Sequence, residues 1–449
     1  MKDILHEDTI CALATGGSMS AIAVIRLSGN NSINIVNSIF SKKILDVKTH
    51  TVHFGTISKN NQVIDEVVVS IFRKNKSYTG EETVEISCHG SIFIQEQLLQ
   101  LLVKNGCRMA SPGEFTLRAF KNGKIDLSQA ESVGDLIAAK SKFSHDIALN
   151  HLRGGFKNEL KILRDELINF ASLIELELDF SEEDVEFANR KQLSDLLNKI
   201  KKKLDKLITS FKLGNVIKHG VTVAIIGPPN VGKSTLLNTL INDEKAIVSD
   251  IPGTTRDTIE DEININGYTF RFIDTAGIRD TTDTIENLGI KKTLKQAKEA
   301  LITLFLIDSN KNINKQLKDL YKVKQEIKGE LIIVINKIDI KAINIDNYIS
   351  ISAKNKTGIN TLKNRLVESI SSSQFSSNET IITNLRHYEE LQHTIHEINL
   401  VVDGLKSQIT SELLAVNIKQ ALFHLGSITG EITTDTLLGN IFSKFCIGK

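Results

Sequence analysis

A multidomain α/β protein is what the sequence predicts: an α+β amino-terminal domain, an α-helical bundle, and a P-loop α/β domain inserted into that bundle. Three observations carry this expectation. The chain has 449 residues, room for about three domains at roughly 150 residues each. Its hydrophobic period changes from strand-like to helical, then to short buried strands between helices, and back to helical. And Gly227-Pro228-Pro229-Asn230-Val231-Gly232-Lys233-Ser234 stands between an apolar run and a helix-forming segment, the context in which GxxxxGK[ST] holds phosphate.

Taken in order, the first part of the chain holds strand-like runs at Ala21–Leu27, Thr51–Ile57, Val63–Phe72 and Thr83–Ser87, with helices expected at Ile92–Lys104 and Glu114–Lys121. Mixed runs of this kind read as α+β. Leu160, Leu163, Leu167, Phe170, Ile174 and Leu178 then step by three and four residues, as do Leu193, Leu197, Ile200, Leu204, Leu207 and Phe211, which predicts two long amphipathic helices. Gly214 stands where the second helix is expected to be capped. Val221–Ile226 is continuous, apolar and β-branched, so a buried strand is expected there, followed by a loop and a helix at Ser234–Ile241. Asn266-Gly267 between Glu262–Ile265 and Tyr268–Ile273 predicts a hairpin. Leu301–Ile307, Leu331–Ile335 and Ile349–Ser352 complete the expected sheet, and Ser371–Ser377 closes it as a linker. Helical spacing returns at Leu385, Tyr388, Leu391, Ile395, Ile398, Val402 and Leu405, and again at Leu414, Ile418, Ala421, Leu422 and Leu425. Helical blocks on both sides of an α/β unit predict an insertion whose ends lie close together.

Composition bounds the function. A net charge of +1, with 24% charged and 41% apolar residues, excludes a wholesale polycationic nucleic-acid binder but leaves local basic patches open. Cys11, Cys88, Cys107 and Cys446 form no CxxC pair, so the spacing for a zinc ribbon or a disulfide scaffold is missing and a reducing compartment fits best. Asp3, Glu7 and Asp8 with no apolar core argue against a secretory or transit leader, and no run of ~18 apolar residues offers a membrane span. A cytoplasmic location without membrane partners is expected.

The motifs call for nucleotide chemistry. In the phosphate loop, backbone N–H groups from Asn230, Val231 and Gly232 onward face the phosphates, Lys233 neutralises the β and γ groups, and Ser234, followed by Thr235, supplies a hydroxyl to Mg²⁺. Asp274-Thr275-Ala276-Gly277 follows the second hairpin strand, where the carboxylate reaches Mg²⁺ through water and the Gly277 N–H meets the γ-phosphate. Asn336-Lys337-Ile338-Asp339 follows the strand Leu331–Ile335. Its Asp339 carboxylate accepts from guanine N1–H and the exocyclic amine, which adenine lacks, so with Ser352-Ala353-Lys354 it selects GTP over ATP. The loop Ser249-Asp250-Ile251-Pro252-Gly253-Thr254-Thr255 brings hydroxyls between the first two motifs, and Thr255 is the expected second Mg²⁺ ligand. Ile278 follows Gly277 where Ras-type GTPases carry a water-orienting Gln; an apolar residue cannot do this, so hydrolysis needs another group.

At these residues the sequence resembles the MnmE (TrmE) family of tRNA-modifying GTPases over essentially its whole length. The Asn of the phosphate loop, the GTTRD loop and the DTAG turn narrow the field to a few GTPases. Ser111-Pro112-Gly113-Glu114-Phe115-Thr116-Leu117-Arg118-Ala119-Phe120-Lys121-Asn122-Gly123-Lys124-Ile125-Asp126-Leu127 is close to the family's PGEFTxRAFxNGKxDL segment, and Phe445-Cys446-Ile447-Gly448-Lys449 matches its FCIGK ending. A prenylation box is a poor reading of that ending, given Gly448 and Lys449. Two departures are Pro252, which has no N–H to offer, and Lys354 where some relatives carry Arg.

The resemblance implies the following. Residues 1–122 form a tetrahydrofolate-binding and dimerisation domain, 123–215 with 375–449 a discontinuous helical domain, and 216–374 an inserted Ras-like GTPase domain. Asn230, Ser249, Ile251 and Thr254 hold K⁺ against the phosphates, and Glu286 orients water in place of the missing Gln. Arg26, Glu85, Lys124 and Lys449 bind 5,10-methylene- or 5-formyl-tetrahydrofolate, and Cys446 enters the chemistry as acid or base. The partners implied are a second copy, in a homodimer, an FAD-containing MnmG-like protein, in a heterotetramer, and tRNA as substrate. The expected activity is K⁺-stimulated GTP hydrolysis coupled to addition of an aminomethyl or carboxymethylaminomethyl group at C5 of wobble uridine. The rival reading is a regulatory GTPase switch, in ribosome assembly or stress signalling, whose flanking domains only bind partners.

Overall fold

The computed structural model describes residues 8–179, 190–245, 261–273, 297–343, 345–370, 380–407 and 409–448. In chain order the elements of the first half are β1 (Thr9–Leu13), β2 (Ile22–Ser28), α1 (Ser32–Ile39), β3 (Thr51–Lys59), β4 (Gln62–Phe72), β5 (Thr83–His89), α2 (Ile92–Lys104), β6 (Cys107–Met109), α3 (Glu114–Lys121), α4 (Leu127–Ala138), α5 (Lys142–Leu152), α6 (Gly155–Asp179) and α7 (Arg190–His219). Then come β7 (Val221–Ile226), α8 (Lys233–Lys245), β8 (Asp261–Ile265), β9 (Tyr268–Phe272), β10 (Ile302–Asp308), α9 (Ile313–Lys324), β11 (Glu330–Asn336), β12 (Ile349–Ser350), α10 (Ile359–Glu368), α11 (Leu385–Lys406), α12 (Ser411–Thr429) and α13 (Asp435–Phe442). No helix among the described residues is long and apolar enough to cross a membrane.

One compact unit comprises Met1–Gly134, His151–Ser194 and His396–Lys449. Its sheet has the order β3-β4-β5-β2-β1-β6, antiparallel except for the pair β1–β6. Strand alternation builds two faces. Ala23, Ile25 and Leu27 of β2, with Val84 and Ile86 of β5, are buried against Val36 of α1 and Leu98 and Leu102 of α2. Arg26 and Glu85, one residue out of that phase and directly paired across the strands, belong to the other face, where Ile10, Ala12 and Phe115 cluster. The helices α3 and α4 pack with α13: Leu117 of α3 and Leu127 and Ala130 of α4 cluster with Leu438 and Phe442. On α6 the expected stripe Leu160, Leu163, Leu167 and Phe170 is fully buried. Each such side chain contributes about 1.5–3 kcal/mol of transfer free energy.

The other unit comprises Asp135–Asn150 and Asp195–Ile395. Its sheet, β12-β11-β10-β7-β9-β8, is parallel but for the edge strand β8. Every residue of β10 is buried, as a middle strand covered on both faces requires. Leu304 and Leu306 pack with Leu236 and Leu240 of α8 and Leu362 of α10, while Phe305 and Ile307 face Leu320 of α9. Asn266 at φ 49° and Gly267 at φ 89° make the tight hairpin turn that Asn-Gly predicts.

One expectation is corrected. Gly214 does not cap α7, which continues to His219; it lies inside the helix, where an added Cβ would come within 2.0 Å of the Ile382 carbonyl oxygen. The glycine serves close backbone approach, not termination. At the same crossing the Ile382 N–H donates to Ser210 Oγ at 3.0 Å, and Phe211 stacks on Tyr388 at 4.3 Å. The expected linker Ser371–Ser377 lies outside the described residues.

Candidate functional site

In an open parallel sheet, ligands are met at the carboxyl ends of the strands, and the described motif residues gather there. β7 ends at Ile226 and the chain turns through Gly227, whose Cβ position is 2.5 Å from the Leu306 carbonyl oxygen, so no larger residue fits. Asn230 at φ 61° and Gly232 at φ 98° curl the loop into the start of α8. That first turn offers its N–H groups to an anion. Lys233 Nζ donates to the carbonyl oxygens of Gly227 and Pro228, at 2.9 and 3.0 Å, and burial pushes its pKa down. A phosphate arriving here would meet an ammonium group already held over the loop. Ser234 is half-buried and Thr235 exposed at the same helix start.

Asn336, at the end of β11, ties the loops together. Its Nδ2 donates to the Val231 carbonyl at 2.9 Å, and its Oδ1 accepts from the Ala353 N–H at 3.0 Å. Lys337, at φ 68°, sends Nζ to the Asn230 carbonyl and to Asp308 Oδ2, both at 2.7 Å. Burial alone would raise the Asp308 pKa; the bonds from Lys337 and the Asn310 N–H outweigh it and hold the carboxyl below its usual range. Asp339 is exposed, and Ser352 Oγ donates to its Oδ1 at 2.6 Å, which fixes the carboxylate plane before any base arrives. Lys354 is exposed beside Ala353. The phosphate loop, Asn336-Lys337-Ile338-Asp339 and Ser352-Ala353 therefore form one assembly. Asp308 was not singled out from the sequence, although its place at the carboxyl end of β10 is the signal that finds it.

Several expected site residues lie outside the described residues: Ser249, Asp250, Ile251, Pro252, Gly253, Thr254 and Thr255; Asp274, Thr275, Ala276 and Gly277; Glu286; and Lys449.

In the amino-terminal unit, Arg26 and Glu85 are joined by an ion pair of 2.8 Å, with side chains 16% and 27% exposed, so both remain reachable. The Arg26 guanidinium lies 5.8 Å from the ring centres of Tyr78 and Phe115. Its Nη1 donates to the Gly448 carbonyl at 3.4 Å, and Gly448 itself lies against the Leu13 carbonyl. Cys446 is exposed, and its carbonyl accepts from the Gly113 N–H at 3.4 Å. A Cβ on Gly113, at φ 69°, would meet the Phe442 carbonyl oxygen at 2.6 Å. The ending of the chain is thus seated on the very segment whose motif it accompanies in the sequence. Lys124 contacts the loop that carries Tyr78: its Nζ donates to the Asn75 carbonyl at 3.2 Å, and its stem lies against Gly80. Tyr78, missed from the sequence, carries no motif, and its hydroxyl shares a bond of 3.0 Å with Thr116.

Comparison with known proteins extends the picture to the whole chain. The family described as "GTP-binding protein TrmE N-terminus" matches residues 9–124, and "MnmE helical domain" matches residues 127–446. A tRNA modification GTPase MnmE of Cytophaga hutchinsonii is 55% identical over 99% of this chain and 98% of its own. That of Flavobacterium psychrophilum is 54% identical over 99% and 100%. Among solved structures, the FeoB G-domain of Methanococcus jannaschii aligns over 34% of this chain and 98% of its own, with 22% identity and a TM-score of 0.26. With matched segments covering both ends and relatives aligned from one terminus to the other, the chain belongs to the MnmE (TrmE) family of tRNA modification GTPases.

Proposed function

We propose that the protein binds and hydrolyses GTP in the service of tRNA modification. The observation that carries this is the assembly of phosphate loop, guanine-reading loop and Ser352-Ala353 at one sheet edge, joined by Asn336 and Lys337, in a chain of this family. The backbone of Asn230, Val231 and Gly232 with Lys233 cradles the phosphates, and Asp339, oriented by Ser352, reads guanine. Hydroxyls of Ser234 and Thr255 are hard oxygen donors suited to Mg²⁺, which supplies charge neutralisation at the β and γ phosphates. Asn230 lies in the phosphate loop with an amide oxygen suited to a monovalent cation; with Ser249, Ile251 and Thr254 it would hold K⁺, the counter-charge an arginine supplies elsewhere. Glu286 would orient the attacking water, since Ile278 cannot.

The finer activity is addition of an aminomethyl or carboxymethylaminomethyl group to C5 of wobble uridine, in the cytoplasm, with an FAD-containing MnmG-like partner in a heterotetramer. Residues 1–122 would bind folate and pair two copies, and 123–215 with 375–449 would carry the GTPase domain 216–374. The amino-terminal face suits a folate: Glu85, paired with Arg26, would accept from the donor edge of a pterin, the rings of Tyr78 and Phe115 beside the Arg26 guanidinium offer apolar surface, and Arg26, Lys124 and Lys449 suit the glutamate tail. When bound, 5,10-methylene- or 5-formyl-tetrahydrofolate supplies the one-carbon unit. Cys446 would act there as acid or base.

The test is mass spectrometry of tRNA nucleosides from a deletion strain complemented with wild type, Lys233→Ala or Cys446→Ser. C5-modified wobble uridines should vanish in the deletion strain and return only with the wild type. Unchanged uridines in the deletion strain would refute the function, and full rescue by Cys446→Ser would refute the thiol's role. GTP turnover should be far faster in KCl than in NaCl at equal ionic strength; equal rates would remove the K⁺ assignment.

A further inference from the structure

The hairpin β8–β9 is the piece of the nucleotide unit with the most direct chain connection to the expected catalytic loops. Asp261 opens β8 a few residues after Thr255, and Asp274 follows Ile273 at the end of β9. β9 runs parallel to β7, with Val221 opposite Phe270 and Val223 opposite Phe272, so the hairpin's open ends point to the phosphate-loop edge and its Asn266-Gly267 tip to the opposite edge. At ~3.3 Å per residue, about 17 Å separates the tip from Phe272, the last residue of β9.

That remote tip is gripped by the turn between α4 and α5 together with the first residues of α5. The Phe143 N–H donates to the Gly267 carbonyl at 3.3 Å, the Phe143 ring lies 4.4 Å from that of Tyr268, and a Cβ on Gly267 would strike Phe143 at 2.9 Å. Asn264 Nδ2 donates to the Lys140 carbonyl at 2.9 Å, while Thr269 Oγ1, from the paired residue across the hairpin, donates to Asn264 Oδ1 at 2.9 Å and orients the amide. Lys140 Nζ reaches Glu262 at 2.7 Å; both are too exposed for that ion pair to matter much. The gripping turn is itself held: the Ser144 N–H donates to Ser141 Oγ and the Ser141 N–H to Ser144 Oγ, a reciprocal cap at the start of α5.

We infer that the Lys140–Phe143 segment is a positioning element for GTP hydrolysis: by fixing the hairpin tip it holds β8 and β9 in their register against β7, and so fixes Asp261 and Phe272, the strand ends from which the chain leads to the expected catalytic loops. This rests on the GTPase reading above. Phe143 and Asn264 are positioning residues that touch no nucleotide.

The test uses the full chain. Phe143→Ala and, as a milder cut, Asn264→Ala are compared with wild type for kcat and KM of GTP hydrolysis and for affinity of a fluorescent GDP analogue. A 1 Å misplacement of reacting groups costs about a hundredfold, so a partial release should lower kcat about tenfold. GDP-analogue affinity should stay within about twofold, because the phosphate loop and Asp339 do not depend on the tip, and Phe143→Tyr should restore kcat. Wild-type kcat in both alanine variants overturns the inference, as does a loss of affinity in step with kcat, which marks general destabilisation. If Phe143→Ala does not fold, the same comparison in Asn264→Ala decides. Failure of the GTPase reading looks different: the wild type itself would not turn over GTP, or Lys233→Ala would do so equally well.

Discussion

Asn336→Ala tests whether one side chain assembles the nucleotide loops. Asn336 is 3% exposed and satisfies two backbone groups from separate segments, the Val231 carbonyl and the Ala353 N–H. Alanine removes both partners and adds none. Each buried backbone group left without a partner costs about 1–3 kcal/mol, so the pair costs about 2–6 kcal/mol out of the roughly 5–15 that hold a domain folded. The assay is urea unfolding of the whole chain, following the transition that saturating GDP moves, since that transition belongs to the nucleotide unit. With a slope of about 2 kcal/mol per molar urea, its midpoint should fall by about 1–3 M. Affinity for the GDP analogue should fall at least about tenfold, because the phosphate loop and the Ser352-Ala353 loop lose their shared strut. A midpoint shift under about 0.3 M with wild-type affinity would refute the reasoning.

Gly214→Ala, favoured by about 0.5–1 kcal/mol in an ordinary helix interior, should instead destabilise, because its Cβ meets the Ile382 carbonyl oxygen at 2.0 Å; a raised melting temperature would refute the close approach. Gly113→Ala adds left-handed strain of about 1–2 kcal/mol and a clash with Phe442, so residues 435–448 should become more susceptible to carboxypeptidase; unchanged digestion would mean the ending is seated by other contacts. Burial alone would raise the Glu114 carboxyl; the bonds from Arg108, the Ser111 N–H and Arg118 outweigh it and hold it below its unfolded 4.5, so its stabilisation is complete above about pH 5.5 and is lost as pH falls through the lower folded value. Glu114→Gln should therefore weaken the amino-terminal unit at neutral pH and flatten the acid limb that begins below about pH 5.5, measured by thermal melts; an unaltered acid limb would refute the assignment.

The legible parts of the fold were those written in local pattern. β7 falls at Val221–Ile226, the hairpin turns at Asn266-Gly267, and the stripe of α6 is buried where its spacing placed it. Gly214 misled because a glycine after an apolar stripe reads as a cap, while the reason for it, the backbone at Ile382, is far away in sequence. The phosphate loop and Asn336-Lys337-Ile338-Asp339 were legible as strand-end loops because their residue types stand at fixed spacing at the ends of β7 and β11. Asp308 and Tyr78 were not, since each acquires its role only from a partner, Lys337 and Arg26, that the fold brings in from another element.

The crossing of α7 with the segment leading into α11 bears on how the protein is put together. Ser210 and Ile382 are 172 positions apart, and closing a flexible loop of that length costs about 4–5 kcal/mol in chain entropy. Once the sheet between them has formed, its two ends are already neighbours and that cost has been met. The helical crossing is therefore cheap to close only while the α/β segment is folded, which couples its stability to that segment. A nucleotide at one hundred times its dissociation constant adds about 2.7 kcal/mol to the segment. Amide protons of α7 near Ser210 should then exchange more slowly, although they touch no nucleotide, so occupancy of the sheet edge is legible in the rigidity of helices that flank it.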